Sequence, residues 1–205
     1  MRLLAFSDLH RDTNAARKIV EASEEADVVI GAGDFATKGI GASETLKILA
    51  TCHAPVLIVH GNHDAPGEIA ALCARWPNVT YLHGTGVRIG GVDFFGVGGE
   101  VPKRKAYDWN TAHSEDEAAR MLTACPAGAV LITHTPPLGT ADLQKNGAHE
   151  GSAAIRDAIT AHNAVLCLCG HIHASWGAGG QVGCAHVRNL GPVPNWFDIG
   201  ARAGQ

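Results

Sequence analysis

Five short groups of polar residues could do chemistry in this 205-residue chain, and each follows a run of apolar residues. Asp8-Leu9-His10 sets a carboxylate and an imidazole two residues apart, so that they point the same way from an extended chain. In Gly33-Asp34 a glycine lets the backbone turn sharply, and the carboxylate behind it has two oxygens that can bridge two ions. Gly61-Asn62-His63-Asp64, Thr133-His134 and Gly170-His171-Ile172-His173 complete the set. Asp8, His10, Asp34, Asn62, His134, His171 and His173 offer seven nitrogen or oxygen ligands, too many for one first-row ion. With one bridging carboxylate they divide into two shells of four protein ligands, with room for water between the ions. That donor set, free of thiolate, suits Mn²⁺, Fe²⁺ or Zn²⁺.

The elements that must position these groups are legible around them. Leu3 to Phe6, Val28 to Ala32, Val56 to His60, Ala129 to Thr133 and Val165 to Cys169 are continuous apolar runs, the pattern of strands buried on both faces. Helical spacing occupies Asp12 to Ala26, Ser43 to Thr51, Pro66 to Ala74, Ser114 to Ala124 and Ser152 to Asn163, with Ser114 and Glu117 forming a capping box. Alternating strands and helices predict an α/β fold, with ligands at the strand C-terminal ends. Val79 to Leu82, Val87 to Ile89, Val92 to Val97 and Val182 to Arg188 read as hairpin strands of a second, partly antiparallel sheet. No repeat or Pro/Ser-rich linker divides the chain, so residues 1–205 read as one domain.

Sixteen basic and twenty acidic residues give a net charge of −4, without the broad basic field that duplex nucleic acid requires. A small anionic substrate fits if metal supplies the positive charge. No apolar run approaches the ~18 residues that cross a membrane, and Asp8 interrupts the start before a secretory segment can form, so a cytoplasmic protein is expected. The six cysteines lack C-x-x-C spacing and read as buried free thiols.

Taken in order, D-x-H, G-D, G-N-H-D, a strand-end His and G-H-x-H resemble the five motifs of the calcineurin-like metallophosphoesterases, from Asp8 to His173. That resemblance implies a four-layer α/β/β/α sandwich of two mixed β-sheets, with a dimetal site at the strand ends. It assigns Asp8, His10, Asp34 and His173 to one metal and Asp34, Asn62, His134 and His171 to the other. His63 would contact the phosphate or, as an imidazolium, protonate the leaving oxygen. A hydroxide bridging the two ions would attack phosphorus in line. Thr37 and Lys38, three and four residues after Asp34, depart from the Asp and Arg of protein serine/threonine phosphatases, and Thr37 also departs from the Tyr of purple acid phosphatases. Thr133-His134-Thr135-Pro136-Pro137-Leu138-Gly139 is similar to small members described as phosphodiesterases.

The expected activity is therefore hydrolysis of a small phosphodiester, nucleotide-like or cyclic. The alternatives are a phosphomonoesterase, a single-strand nuclease, or a non-catalytic metal-binding scaffold. Asp64 either orients a neighbouring site residue or caps the helix that begins at Pro66. Lys38 and His149 are candidate substrate contacts, and Lys103-Arg104-Lys105 is either a basic lip over the site or a solvated loop. His60, His83, His113, His162 and His186 read as structural or exposed. Gly31-x-Gly33-x-x-Ala36 formally matches a dinucleotide fingerprint, but the loop-like Thr37 to Gly41 follows it where a helix should open.

Overall fold

The computed structural model describes residues 1–200. The chain runs through β1 (Arg2–Phe6), α1 (Thr13–Ala22), β2 (Val28–Ala32), α2 (Ala42–Leu49), β3 (Val56–Val59), α3 (Pro66–Cys73) and β4 (Val79–Tyr81). It continues through β5 (Thr85–Ile89), β6 (Val92–Val97), α4 (Glu115–Leu122), β7 (Val130–Thr133), α5 (Ala153–Ala161), β8 (Leu166–Cys169), β9 (Gly179–Val182), β10 (Ala185–Asn189) and β11 (Asn195–Asp198). One sheet has the order β11-β1-β2-β3-β4 and the other β5-β6-β7-β8-β10-β9.

Successive side chains of a strand leave opposite faces, and this alternation builds the layers. Leu3 and Ala5 of β1, Ile30 of β2 and Leu57 of β3 meet Phe94, Ile132 and Leu168 of the second sheet. Leu4, Phe6, Val29 and Ile58, the intervening residues, pack under α1 to α3 through Ile19, Leu46, Leu49 and Ile69. On the far side Phe95, Leu131, Cys167 and Cys169 pack under α4 and α5 through Leu122, Ile155 and Ile159. Three apolar interfaces separate four layers, helix, sheet, sheet, helix, and each fully buried Leu, Ile or Phe stabilises them by about 1.5–3 kcal/mol. Both faces of the central strands are covered, which is why their sequences are apolar without alternation.

Within each sheet the central strands are parallel and the edges β11, β5 and β9 are antiparallel. The expected hairpin strand at Val79 to Leu82 instead pairs parallel with β3, because α3 carries the crossover. The expected single strand Val182 to Arg188 is two strands, broken by a turn at Gly183 with φ +56°. That turn leaves Cys184 exposed, unlike the other five thiols. α1 is shorter than its apolar spacing suggests, with Asp12 as its N-cap and a 3-10 turn over Ser23–Glu25. The Ser114/Glu117 capping box forms as expected. No helix among the described residues is long and apolar enough to cross a membrane.

Candidate metal centre

The C-terminal ends of β1, β2, β3, β7 and β8 meet at one edge of the sandwich and bring all seven expected ligands together. Asp34 lies at the middle and is buried. Its Oδ2 is 3.5 Å from His10 Nε2, and its Oδ1 is 3.5 Å from His134 Nε2. On the His10 side, His10 Nε2 and His173 Nε2 are 3.2 Å apart, and His173 Nε2 is 3.6 Å from Asp8 Oδ1. On the His134 side, Asn62 Oδ1 is 3.0 Å from both His134 Nε2 and His171 Nδ1.

The convergence rests on backbone that few residues adopt. Asp8, His10, Asp34 and His171 all have positive φ, between 44° and 68°. The extended chain expected for Asp8-Leu9-His10 is therefore absent, and left-handed turns aim the two side chains instead. Each such residue costs on the order of 1–3 kcal/mol. Cross-loop bonds hold the turns: Asp8 N–H donates to Gly33 O at 2.9 Å and His10 N–H to Asp34 O at 2.8 Å. Gly33, at φ +95°, is required by space as well, since a Cβ there would lie 2.6 Å from Gly61 N and from His134 Nδ1.

Asp64 is the tie between these loops. Its buried carboxylate accepts from the backbone N–H groups of Gly61, Asp34, Phe35 and Ala36, at 2.8, 2.9, 3.3 and 2.7 Å. Burial and the adjacent Asp34 push its pKa up to about 7 against the pull of those donors. It does not cap α3, whose N-cap is Ala65 with no side-chain bond. Asp64 thus positions Asp34 from behind.

Two of the imidazoles are held by backbone carbonyls so that a ring nitrogen faces the cluster. His134 Nδ1–H donates to Ala32 O at 2.8 Å and His10 Nδ1–H to Ala36 O at 3.2 Å, which leaves both Nε2 atoms free. Burial drives His171 down to about 3, with His134 adding to the effect. Burial opposes charge on His134 too, but Asp34 outweighs it and lifts that ring to about 9. Burial also disfavours ionised Asp8 and Asp34, yet facing imidazoles hold both carboxyls below their ordinary range. Two buried anions whose only charge partners are imidazoles, with neutral donors from Ser7, Trp176 and the His63 and His171 backbone and no Lys or Arg paired to either among the described residues, form a donor set that fits divalent cations.

Glu100 and Asn110 belong to this site and escaped the sequence reading. Glu100 is buried, accepts from Asn110 Nδ2 at 2.7 Å, and sits 3.8 Å from His171 Nε2, the ring nitrogen opposite the one facing Asn62. Asn110 Oδ1 in turn accepts from Asn62 Nδ2 at 2.8 Å. A carboxylate behind a ligating imidazole raises its basicity and fixes its ring, and losing such a partner costs about 10- to 100-fold in metal affinity. Glu100→Gln is expected to weaken divalent-metal binding by that factor in titration against a competing chelator. Unchanged affinity would restrict Glu100 to holding Asn110.

The cluster opens into a cleft of about 430 Å³, lined by His63, Glu100, Arg104, Lys105, Trp109 and Asn110 among others. A larger hollow, about 880 Å³ between β10 and β11, contains none of these groups. Of Lys103-Arg104-Lys105, Arg104 and Lys105 line the mouth of the cleft and Lys103 does not; all three are exposed, and Arg104 Nη2 donates to Gly151 O at 3.2 Å. His149 is not among the residues lining the cleft, although its neighbour Glu150 is; its Nδ1–H donates to Asp142 at 2.6 Å. Lys38 is exposed and reaches the site only through its backbone, whose N–H donates to His63 Nδ1 at 3.0 Å. His63 packs edge-on to His10 and against Trp109, whose ring stacks on Tyr107.

Residues 1–195 match the family model described as the calcineurin-like phosphoesterase superfamily domain. Two UPF0046 proteins of Caenorhabditis elegans, K07C11.7 and T07D4.2, are 28% and 29% identical over 86% and 64% of this chain, which spans 65% and 32% of their lengths. Among solved structures, TT1561 of Thermus thermophilus superposes with a TM-score of 0.75 at 23% identity, covering 93% of this chain and 88% of its own. A dimetal phosphatase from Danio rerio gives 0.63 at 12% identity over 94% and 88%. An archaeal phosphodiesterase gives 0.53 at 18% over 93% and 84%. The family model spans nearly all of the chain and the solved structures share its two-sheet sandwich, so the protein belongs to the calcineurin-like phosphoesterase superfamily.

Proposed function

We propose that this chain is a dinuclear-metal phosphodiesterase acting on small substrates. The observation that carries this reading is the division of donors by Asp34, whose two oxygens face different imidazoles at the same 3.5 Å. Asp8, His10, Asp34 and His173 would hold one divalent ion, and Asp34, Asn62, His134 and His171 the other. Mn²⁺, Fe²⁺ and Zn²⁺ all suit the donors. Such ions supply Lewis acidity and a nucleophile at neutral pH.

The chain's own groups do the rest. With Nδ1 occupied by Lys38 N–H, the neutral His63 ring carries its proton on Nε2, the nitrogen free to donate to a phosphoryl oxygen. Arg104 and Lys105 draw an anion to the mouth of the cleft, and Trp109, packed between His63 and Tyr107, adds apolar lining for the organic portion of a diester. The short aromatic stretch and net charge of −4 do not extend into a track for long nucleic acid.

The test combines a metal count on purified protein with hydrolysis of bis(p-nitrophenyl) phosphate and p-nitrophenyl phosphate, before and after chelation and Mn²⁺ restoration. At least two metals per chain, loss of at least about 100-fold on chelation, recovery with Mn²⁺ and preference for the diester are expected. Preference for the monoester would make the chain a phosphatase. Two metals without turnover of either ester would favour a binding scaffold.

A further inference from the structure

A second cluster of metal-type donors lies behind the first. His60 follows β3, His83 links β4 to β5, and His113 precedes the N-cap of α4, so three distant segments each contribute one imidazole. One ring nitrogen from each lies within 4.8 Å of the other two. Ring centroids are 4.6 Å apart for His60 and His83, and 5.1 Å for His83 and His113. His60 is fully buried, and its Nε2 has no hydrogen-bond partner among the described residues; the same is true of His113 Nε2. A buried ring nitrogen without a partner is costly, and two in one three-imidazole cluster call for a ligand. Packing alone gives no reason for three imidazoles to converge from separate loops.

The surroundings suit a cation held by lone pairs. Tyr81 Oη lies 2.7 Å from His60 Nδ1 and can fix that ring's tautomer from behind. The one bond to His83 Nδ1 among the described residues is long, 3.3 Å from Gly98 N–H, so an ion can displace that donor and take the Nδ1 lone pair. His83 and His113 are only half-buried, which leaves an approach for an ion. Gly98 lies against the His60 ring and Gly99, at φ +85°, against His113, and the next residue is Glu100 of the dimetal cleft.

We infer that His60, His83 and His113 form a mononuclear site for a divalent transition-metal ion, with Zn²⁺ the best match to three neutral imidazoles and one open position. An ion there clamps the end of β3, the β4–β5 connection and the loop from Gly98 to His113, and so steadies Glu100 and Asn110 from the side away from substrate. It is separate from the dimetal cluster, and neither needs the other to bind metal.

The test is zinc stoichiometry by mass spectrometry after loading with Zn²⁺ and removal of loose ions on a weak chelator. Wild type is expected to retain one equivalent more than His83→Gln, and one more than His113→Gln, with each variant folded by circular dichroism. The same difference of one should separate Asp34→Asn from Asp34→Asn/His83→Gln, so the result stands apart from the fate of the dimetal cluster. Zn²⁺ should raise the melting temperature of wild type more than that of either variant. Equal stoichiometry with and without the histidines, in either background, would overturn the assignment. Should His83→Gln fail to fold, His113→Gln alone decides in the same way.

Discussion

Asp34→Asn is expected to cut kcat/KM on bis(p-nitrophenyl) phosphate by at least about 10³-fold and to lower the count at the two-metal cluster on both sides together. The reason is that one carboxylate serves both halves. Asp34 Oδ1 accepts from His63 N–H at 2.8 Å, so an amide at this position must keep its oxygen there and turn its NH₂ toward His10. The His10 side then loses a donor outright, and the His134 side keeps a neutral carbonyl in place of an anion. Removing one anionic contact from a metal-assisted reaction forfeits several kcal/mol of charge stabilisation, of which about 4 kcal/mol already amounts to 10³ in rate. The metal-free variant should also be the less stable fold near neutral pH. Facing imidazoles hold the Asp34 carboxyl below its ordinary range and Asp34 in turn lifts His134 to about 9, so the amide loses more than the repulsion it relieves at Asp8 and Asp64. A circular dichroism spectrum matching wild type and a cooperative melt at a lower temperature, together with lost metal, would separate the loss of the site from unfolding. Two tightly held ions in this variant would remove the bridging role.

The order of the candidate ligands was legible because each sits within a few residues of an apolar run, and a strand buried on both faces announces itself in its own sequence. Asp8, Asp34, His134 and His171 needed only that local rule. The helix-sheet-sheet-helix layering came from the resemblance, and the alternation of Leu3 and Ala5 against Leu4 and Phe6 agrees with it. What lay out of reach depends on distant pairings. Glu100 and Asn110 enter the site because Gly99 N–H bonds to His60 O and Thr111 N–H to Asn62 O, contacts that no local pattern encodes. β11 pairs with β1 from the far end of the chain and is four residues long, too short for a period to show. The left-handed backbone at Asp8, His10, Asp34 and His171 follows from loop-to-loop bonds, since none of these residue types demands it. His60, His83 and His113 each look isolated along the chain and meet only through the packing of three loops.

His63→Ala should lower kcat by about 10²- to 10³-fold while leaving metal content unchanged, and the loss should be nearly the same for good and poor leaving groups. This differs from the imidazolium acid that the resemblance implies. Protonating His63 on both nitrogens would turn Nδ1 into a donor facing the Lys38 N–H that now donates to it at 3.0 Å. Burial outweighs the attraction of Asp34 and lowers the ring's pKa, which also favours the neutral form. A neutral ring with its proton on Nε2 stabilises charge on a phosphoryl oxygen, and that charge develops whichever group departs. A general acid, by contrast, matters most when the leaving oxygen is basic, and its contribution falls as pH rises through its pKa. Rates for a series of aryl phosphodiesters should therefore fall on parallel lines for wild type and variant when plotted against leaving-group pKa. His63→Gln, which retains an N–H donor, should recover part of the loss. A steeper line for His63→Ala, with a falling limb near neutrality present in wild type and absent from the variant, would restore the acid role and require the Lys38 contact to break during turnover.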